Sequence, residues 1–286
     1  MRHPVRLLAA LAVAGVAAGC STPTATPSPS APFAIPSAPV SSPLAAPGGL
    51  VTPGKLTVAS DLSYPPQESL DRKGQPVGFD IDLARAIAHE MNLGLAVVNL
   101  DVNGIVPGFA QADHHYDLGI SAMPDTPSLE TNAHVVPYFV AGQALMVASA
   151  NPNHLSGLSG LCGMKVGAQR SSSGEDDALR LNEKTCAARP VQYQAYDRDL
   201  EGVQDVSSGK LDAFIDDYPV SVYLSQQIQG VKVLPHQFST SSDVMVFALT
   251  DSAIRAGVSA ALDRVRKNGV YRALLSHWDL QEGAVP

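Results

Sequence analysis

Four acidic residues stand directly after predicted strands, where the binding site of an α/β protein would lie. In a parallel sheet, ligands bind beyond the carboxyl ends of the strands. Carboxylates gathered at that edge form charge-assisted hydrogen bonds with an ammonium or guanidinium group, so they favour a cationic ligand. The four acids are Asp61, Asp125, Asp216 and Asp217.

The order of apolar runs supports this placement. Short buried runs alternate with amphipathic stretches, which predicts an α/β fold with a largely parallel sheet and helices on both faces. In the first helix, Asp80 is expected to be the N-cap, and Asp82 to add negative charge at the positive end of the helix dipole. Strands are predicted at residues 56–59, 95–100, 118–121, 141–149, 165–168, 191–196, 213–215 and 244–249. Helices are predicted to begin at residues 80, 103, 175, 197, 219, 252 and 270.

Two segments carry a family resemblance. Gly-Phe-Asp-Ile-Asp-Leu-Ala-Arg-Ala-Ile-Ala begins at Gly78, and Ser-Asp-Leu-Ser-Tyr-Pro-Pro occupies residues 60–66. Together they resemble the polar amino acid class (family 3) of bacterial solute-binding proteins, which serve ABC importers. The resemblance extends from about Gly54 to Leu280 and includes Asn-Gly-Val-Tyr at residues 268–271. It implies a two-lobe, type II periplasmic-binding-protein-like fold with a two-segment hinge.

The resemblance also implies how the chain is divided and how it works. Lobe 1 would comprise residues 54–142 and 243–286, and lobe 2 residues 143–242. The lobes would close over a small polar ligand, an amino acid derivative or a cationic amine. A ligand stabilises the closed form only through contacts that it makes there. The closed form would then dock on the membrane permease of an ABC importer, and we predict that the receptor is a monomer.

The N-terminal region predicts export and anchoring. Residues 1–19 combine a short basic start with an apolar run too short to span a bilayer, as in a signal peptide. Cys20 follows small residues and resembles the lipobox cysteine that carries fatty acyl chains; the alternative is an ordinary signal peptide with a chance cysteine. Residues 20–53 are rich in proline and serine and contain no charge, which predicts a semi-rigid tether. We therefore expect a lipid-anchored protein on the extracytoplasmic face of the cell membrane.

The two remaining cysteines, Cys162 and Cys186, form an even pair in a chain predicted to be exported. Disulfides persist outside the cytoplasm, so we predict that these two residues form one. The alternative is two buried free thiols. A metal site is not expected, because no close cluster of cysteine and histidine is present.

The resemblance assigns roles in lobe 1. Asp61 and Tyr64 match a loop in which an aromatic ring covers the ligand. Ser121, Ala122 and Met123 match a segment that offers a hydroxyl and backbone carbonyls to a ligand ammonium.

The resemblance assigns two further roles in lobe 2. Asp217 matches the acid that holds the ligand α-ammonium. The loop whose N–H and hydroxyl groups receive an α-carboxylate matches Gln169, Arg170, Ser172 and Ser173.

One motif departs from the family pattern. The family has Met-Thr-Ile-Thr-x-x-Arg, whose arginine clamps the α-carboxylate, but here Leu129 occupies the arginine position and Pro124 the first hydroxyl position. Two explanations remain open. The ligand lacks an α-carboxylate and the acids bind a cation, or Arg170 supplies the clamp from the opposite lobe. A neutral polar ligand, or no small ligand, are further alternatives.

Composition and motifs exclude other classes of function. The net charge of −8 argues against a nucleic acid partner. No nucleophile elbow, phosphate loop or metal motif is present, so we predict neither an enzyme nor a cofactor. The alternatives to a transport receptor are a sensor or protein-binding module with a degenerate site, and a dehydratase of small cyclic acids that uses Asp125 or Asp216 as its acid.

Overall fold

A computed structural model describes residues 32–35, 40–111, 114–170 and 172–285. The predicted signal peptide and Cys20 lie outside the described residues. Among the helices that are described, none has the length and apolar character needed to cross a membrane.

Strands and helices alternate as predicted, and most predicted elements are present. The strands are β1 (Lys55–Ser60), β2 (Ser63–Tyr64), β3 (Glu68–Leu70), β4 (Pro76–Val77), β5 (Gly94–Asn99), β6 (Leu118–Gly119), β7 (His134–Ala148), β8 (Lys165–Gln169), β9 (Gln192–Tyr196), β10 (Ala213–Asp217), β11 (Val231–Val233) and β12 (Phe238–Phe247). The helices are α1 (Phe79–Glu90), α2 (Val102–Gly108), α3 (Pro127–Asn132), α4 (Ser173–Lys184), α5 (Asp199–Ser207), α6 (Tyr218–Gln227), α7 (Ser252–Lys267) and α8 (Val270–His277).

The strands form two groups that share the strands β7 and β12. In lobe 1, β1 pairs in parallel with β5 and β6, and β12 pairs antiparallel with β6. In lobe 2, β8 pairs in parallel with β9 and β10, and β10 pairs antiparallel with β7. The sheet order β5-β1-β6-β12-β7-β10-β8-β9 therefore runs through both lobes, with β7 and β12 at its centre.

The two central strands are longer than the sequence predicts. β7 begins at His134 and β12 begins at Phe238, and the two pair antiparallel over most of their length. The register shifts between Phe238 and Ser241 and again between Asp243 and Val244. Shifts of this kind bend a strand and re-aim its side chains. The hinge region therefore carries polar side chains that the predicted crossing strands, 141–149 and 244–249, did not include.

A small hairpin sheet, β2-β3-β4, precedes α1 and was not predicted. It pairs Tyr64 with Glu68, and its last strand, β4, ends directly before Gly78, the N-cap of α1. Gly78 lies where the sheet meets the helix, with φ of 135°, and a Cβ there would come within 2.2 Å of the carbonyl oxygen of Gln67. A glycine is therefore required at that junction.

The prediction that Asp80 caps α1 is wrong. The helix begins at Phe79, its N-cap is Gly78, and Asp80 is fully buried in the first turn. Its carboxylate accepts hydrogen bonds from the hydroxyl of Tyr138 and the N–H of Ala122. Tertiary partners took the side chain away from the helix end.

The described part of the predicted tether, residues 32–35 and 40–53, lies against lobe 1. The N–H of Phe33 donates to Oδ2 of Asp82 at 2.7 Å. Apolar side chains of the segment that pack against the lobe 1 core are Phe33, Ile35, Leu44 and Leu50. In these two stretches, the segment predicted as a semi-rigid tether packs on lobe 1 through its apolar side chains.

The predicted disulfide is present: the sulfur atoms of Cys162 and Cys186 are 2.04 Å apart. It joins the start of lobe 2 to the segment after α4. The bond closes a loop with a sequence separation of 24 residues.

Candidate functional site

A cavity of about 170 Å³ lies where β7 and β12 pass between the lobes. Its polar lining includes Tyr64, Gln143, Ser173, Asp217, Ser241 and Asp243. Within the described residues, the charged groups that line it are both acids, and no lysine or arginine lines it. The cavity therefore favours positive charge.

A larger cavity of about 710 Å³ lies on lobe 1 and is open. Leu129 lines it together with apolar side chains such as Val106 and Phe109, and none of its described lining residues is charged. We take the smaller cavity as the candidate site, because the charged and hydrogen-bonding groups converge there.

Tyr64 and Asp217 join the lobes across the smaller cavity. The hydroxyl of Tyr64 donates to Oδ2 of Asp217 at 2.6 Å, and Nε2 of Gln143 donates to Oδ1 of the same carboxylate. Asp217 is the N-cap residue of α6, but its side chain does not cap that helix, so it is available to the cavity. Burial raises the pKa of Tyr64 well above its usual range, and the nearby Asp217 raises it further.

Asp243 is the second acid of the cavity, and it is 3% exposed. It lies on β12 opposite Pro124, with which it forms an isolated bridge. Among the described residues, its Oδ2 atom has no hydrogen-bond partner. Burial raises the pKa of Asp243 well above its usual range, and the carboxylates of Asp80 and Asp217 raise it further. A buried acceptor in this condition is costly unless a ligand supplies the partner.

A buried pair of acids, Glu68 and Asp80, lies beside these cavity residues. Oε1 of Glu68 accepts from the hydroxyl of Ser121 at 2.7 Å, and Oδ2 of Asp80 accepts from the hydroxyl of Tyr138 at 2.5 Å. Among the described residues, the two remaining oxygens, Oε2 of Glu68 and Oδ1 of Asp80, have no hydrogen-bond partner. Burial raises the pKa of Glu68 well above its usual range, and Asp80 raises it further. Burial also raises the pKa of Asp80, to about 6, against its hydrogen bonds, which lower it.

Comparison with known families decides which class of protein carries this site. The family model for bacterial extracellular solute-binding proteins, family 3, matches residues 56–281.

The chain belongs to this family.

The predicted resemblance is thereby confirmed. Among curated family members, the arginine-binding protein ArgT of Corynebacterium glutamicum is 26% identical over 83% of this chain and 78% of the relative. A probable arginine-binding protein of an ABC transporter, ArtJ of Chlamydia trachomatis, is 26% identical over 82% and 89%. The histidine-binding periplasmic protein of Salmonella typhimurium is 22% identical over 78% and 86%.

Solved structures of solute-binding proteins confirm the predicted two-lobe, type II fold. The ancestral cationic amino acid solute-binding protein AncCDT-1 superposes with a TM-score of 0.68, with 27% identity over 79% of this chain and 95% of that chain. A polar amino acid uptake transporter binding protein of Streptococcus thermophilus superposes with a TM-score of 0.70 and 21% identity, over 82% and 90%. The second likeness supports the fold alone.

Of the predicted lobe 1 residues of this solute-binding protein, Tyr64 and Ala122 line the cavity and three others do not. The Asp61 carboxylate accepts from the hydroxyl of Ser63 and from the N–H of Val102, the first residue of α2. It therefore shapes the loop instead of facing the cavity. Two predicted residues serve the surrounding structure: Ser121 bonds to Glu68, and Met123 is buried in a lobe 1 cluster.

Of the predicted lobe 2 loop, Ser173 lines the cavity. Ser172 is the N-cap of α4, where its hydroxyl accepts from the N–H of Glu175. Nε of Arg170 lies 3.3 Å from Asp197, and both side chains are largely exposed. Arg170 and Gln169 do not line the candidate cavity.

Two predicted acids lie near the cavity but outside its lining. The N–H of Asp125 donates to the carbonyl of Ser242 at 2.7 Å, which joins its loop to β12. Asp216 is buried, and Oδ1 of Asp216 accepts from the N–H of Asp217 at 2.8 Å. Burial raises the pKa of Asp216 well above its usual range, followed by the effects of Asp199 and Asp217.

Gln143 and Asp243 line the cavity and were not predicted from the sequence. Gln143 lies inside an apolar run that was predicted as a buried strand, and a lone glutamine in such a run is a signal of a polar cavity. Asp243 is the last residue of a polar run that begins at Ser239, and the apolar residues of β12 follow it directly. An acid at the start of a predicted crossing strand is the signal that would have found it.

Proposed function

We propose that this chain is an extracytoplasmic receptor that binds a small cationic ligand between its lobes and delivers it to an ABC importer. The observation that carries the proposal is that two acids, Asp217 and Asp243, line a cavity that has no basic residue among its described lining residues. Several curated relatives are named as arginine-binding proteins, which agrees with a cationic ligand. Of the two explanations for the missing family arginine, the acidic site is favoured, because Arg170 pairs with Asp197 outside the cavity.

Hinge closure is the proposed mechanism. β7 and β12 are the two segments that connect the lobes, and Tyr64 and Asp217 approach each other from opposite lobes. A ligand bound between Asp217 and Asp243 would contact lobe 2 and the hinge at once. Such a ligand favours the closed form by the contacts that exist only in that form. The closed monomer would then dock on the permease.

We also propose that Cys20 anchors the receptor to the cell membrane. Small residues precede this cysteine, and it follows the apolar run of a signal peptide. The described part of the following segment packs on lobe 1, so the anchor would lie on the lobe 1 side. Replacement Cys20→Ser should move the protein from the membrane fraction to the soluble fraction; persistence in the membrane fraction would refute the anchor.

Neither of the alternative functions has a specific observation in its favour. The dehydratase alternative needs an acid and an anion-binding group in the site, but Asp125 and Asp216 lie outside the cavity lining. The curated relatives described above are named as binding proteins.

Thermal unfolding of the full chain against a ligand panel tests the proposal. The panel comprises L-arginine, L-lysine, L-glutamine, L-glutamate, 1-aminobutane and 1,4-diaminobutane. A ligand that binds only the folded form raises stability according to its concentration and Kd. We expect the melting temperature to rise with at least one cationic compound and not with L-glutamate.

Two variants make this test specific. Asp217→Asn should abolish the rise, whereas Asp263→Asn should keep it, because Asp263 is an exposed carboxylate on α7. A rise with L-glutamate alone, or no rise with any cation, would refute a cation receptor. No rise with any compound of the panel would favour the sensor or protein-binding module with a degenerate site.

A further inference from the structure

We propose that the ligand of this site is a short linear diamine: a dication with a second ammonium group that binds Asp243 and with no carboxylate. This inference rests on the proposed receptor function and names the class of its ligand. It is carried by the geometry of Asp217 and Asp243, and by the buried carboxylate oxygen of Asp243 that has no partner among the described residues.

Among the described residues, no lysine or arginine of the lining can pair with a carboxylate. Tyr64 also lines a second cavity, of about 330 Å³, and the basic residue that lines this second cavity is Arg198, which is exposed. A free amino acid in the smaller cavity would bring its carboxylate beside Asp217 and Asp243. A buried charge without a partner is strongly unfavourable, and two like charges nearby make it more so.

The two acids are too far apart along β7 to serve one compact cation. Asp217 pairs with Gln143 on one side of β7, and Asp243 pairs with Phe139 on the other side. The offset of four residues corresponds to about 13 Å along a strand at about 3.3 Å per residue. Aspartate side chains shorten this separation but do not remove it. A ligand that reaches both carboxylates must therefore extend along the hinge strand.

The hydrogen-bond state of the two acids differs, which points to the second ammonium. Asp217 already accepts from Tyr64 and Gln143, one donor on each oxygen. Asp243 is 3% exposed, and its Oδ2 has no described partner. An ammonium group has three donors and no acceptor, so it satisfies a lone carboxylate oxygen and can also donate to lining hydroxyls such as that of Ser241.

The size of the cavity limits the ligand. A volume of about 170 Å³ has room for one small ligand. A chain of a few methylene groups between two ammonium groups is small enough for the cavity and can extend from one acid towards the other.

Isothermal titration of the full chain in detergent tests the inference with a matched set of ligands. The set is 1,3-diaminopropane, 1,4-diaminobutane, 1,5-diaminopentane, 1-aminobutane and L-arginine. A second charge-assisted hydrogen bond should make the best diamine bind about ten- to a hundredfold more tightly than 1-aminobutane. L-arginine should bind more weakly than the best diamine.

Asp243→Asn separates this inference from the general receptor function. The variant should remove most of the preference for the diamine and change the affinity for 1-aminobutane by less than about threefold, since only the second ammonium contacts Asp243. Asp263→Asn, the same charge change on the exposed face of α7, should leave the preference intact. If Asp243→Asn fails to fold, the dependence of the wild-type affinity on diamine length remains as a test: a clear optimum is expected.

The outcomes distinguish the two levels of the proposal. If L-arginine binds and is preferred to every diamine, or if Asp243→Asn leaves the diamine preference unchanged, the diamine inference is overturned and the receptor function stands. Equal affinity for all three diamines and 1-aminobutane would overturn it as well. If no cationic compound binds, both the inference and the proposed function fail.

Discussion

The hydroxyl of Tyr64 donates a hydrogen bond of 2.6 Å to Oδ2 of Asp217, although the two residues belong to different lobes and are separated by 153 positions in sequence. This bond links the hairpin sheet of lobe 1 to the end of β10 in lobe 2. This hydrogen bond can form only when the two lobes are close together. The bond therefore offers a direct test of closure.

Tyr64→Phe should weaken closure without removing the aromatic ring. A hydrogen bond to a charged group contributes about 1.5–3 kcal/mol, so the affinity for a bound cation should fall by about ten- to a hundredfold. Small-angle scattering should show a larger radius of gyration for the variant without ligand. Tyr193→Phe is the matched control, because Tyr193 donates to Glu175 within lobe 2. Unchanged affinity and radius in Tyr64→Phe would contradict this role.

The pair Glu68 and Asp80 should make stability depend on pH. Burial raises the pKa of both groups in the folded chain, and that of Asp80 to about 6. The folded form therefore binds these protons more tightly than the unfolded form does. The stabilisation is fully present below the unfolded pKa of about 4 and is lost as the pH rises through about 6. Each proton that must be released lowers the free energy of unfolding by up to about 1.4 kcal/mol per pH unit.

Urea unfolding from pH 4.5 to pH 8 measures this dependence. In Glu68→Gln, the side chain at position 68 no longer titrates, so the decline with pH should become shallower. Asp263→Asn controls for a change in net charge at an exposed position. A free energy of unfolding that rises over this range, or the same slope in Glu68→Gln, would show that the pair is not protonated as described.

Asp82 should hold the N-terminal segment onto lobe 1. Its Oδ2 accepts from the N–H of Phe33 and, at 3.1 Å, from Nε1 of the buried Trp278. Asp82→Ala leaves these donors and Arg85 without their acceptor, which should lower the free energy of unfolding by about 3 kcal/mol. Phe33→Ala keeps the backbone N–H that donates to Asp82 and removes the ring, which packs against the lobe 1 core and contacts His277, so it should cost less.

Hydrogen exchange distinguishes the two variants of this segment. The amide of Phe33 donates to Asp82, and the amide of Leu44 donates to the carbonyl of Glu90. Both amides should therefore exchange slowly in the wild-type chain. Both should exchange faster in Asp82→Ala. Fast exchange of the Phe33 and Leu44 amides in the wild-type chain would show that the segment does not stay packed on lobe 1.

The disulfide should stabilise lobe 2 mainly through the unfolded chain. Cys162 and Cys186 are separated by 24 residues, and a loop of this size corresponds to about 3 kcal/mol in the chain-entropy model. Cys162→Ser combined with Cys186→Ser should lower the melting temperature by the amount that corresponds to this loss of stability. Reducing agent should lower the melting temperature of the wild-type chain and not that of the double variant. Equal sensitivity of both proteins would contradict a structural disulfide.

Part of the site could be predicted from the sequence because it depends on local order. Asp217 ends a short apolar run before a proline-initiated helix, and Tyr64 comes four residues after the end of β1. Cys162 and Cys186 are the only cysteines left after Cys20. The alternation of strands and helices, together with the segments at residues 60–66 and 78–88, indicated the family and the two-lobe fold. These features are written in composition and spacing within short stretches.

The tertiary structure alone decided which polar side chains meet. Asp61 was predicted to lie in the site and Asp80 to cap α1, but Asp61 bonds to Ser63 and Val102, and Asp80 bonds to Tyr138, which is 58 residues away. Asp243 reaches the cavity because β12 pairs with β7 and shifts register beside it. Hydrogen-bond partners and strand register depend on contacts between distant residues, and a local pattern of residue types carries no record of them.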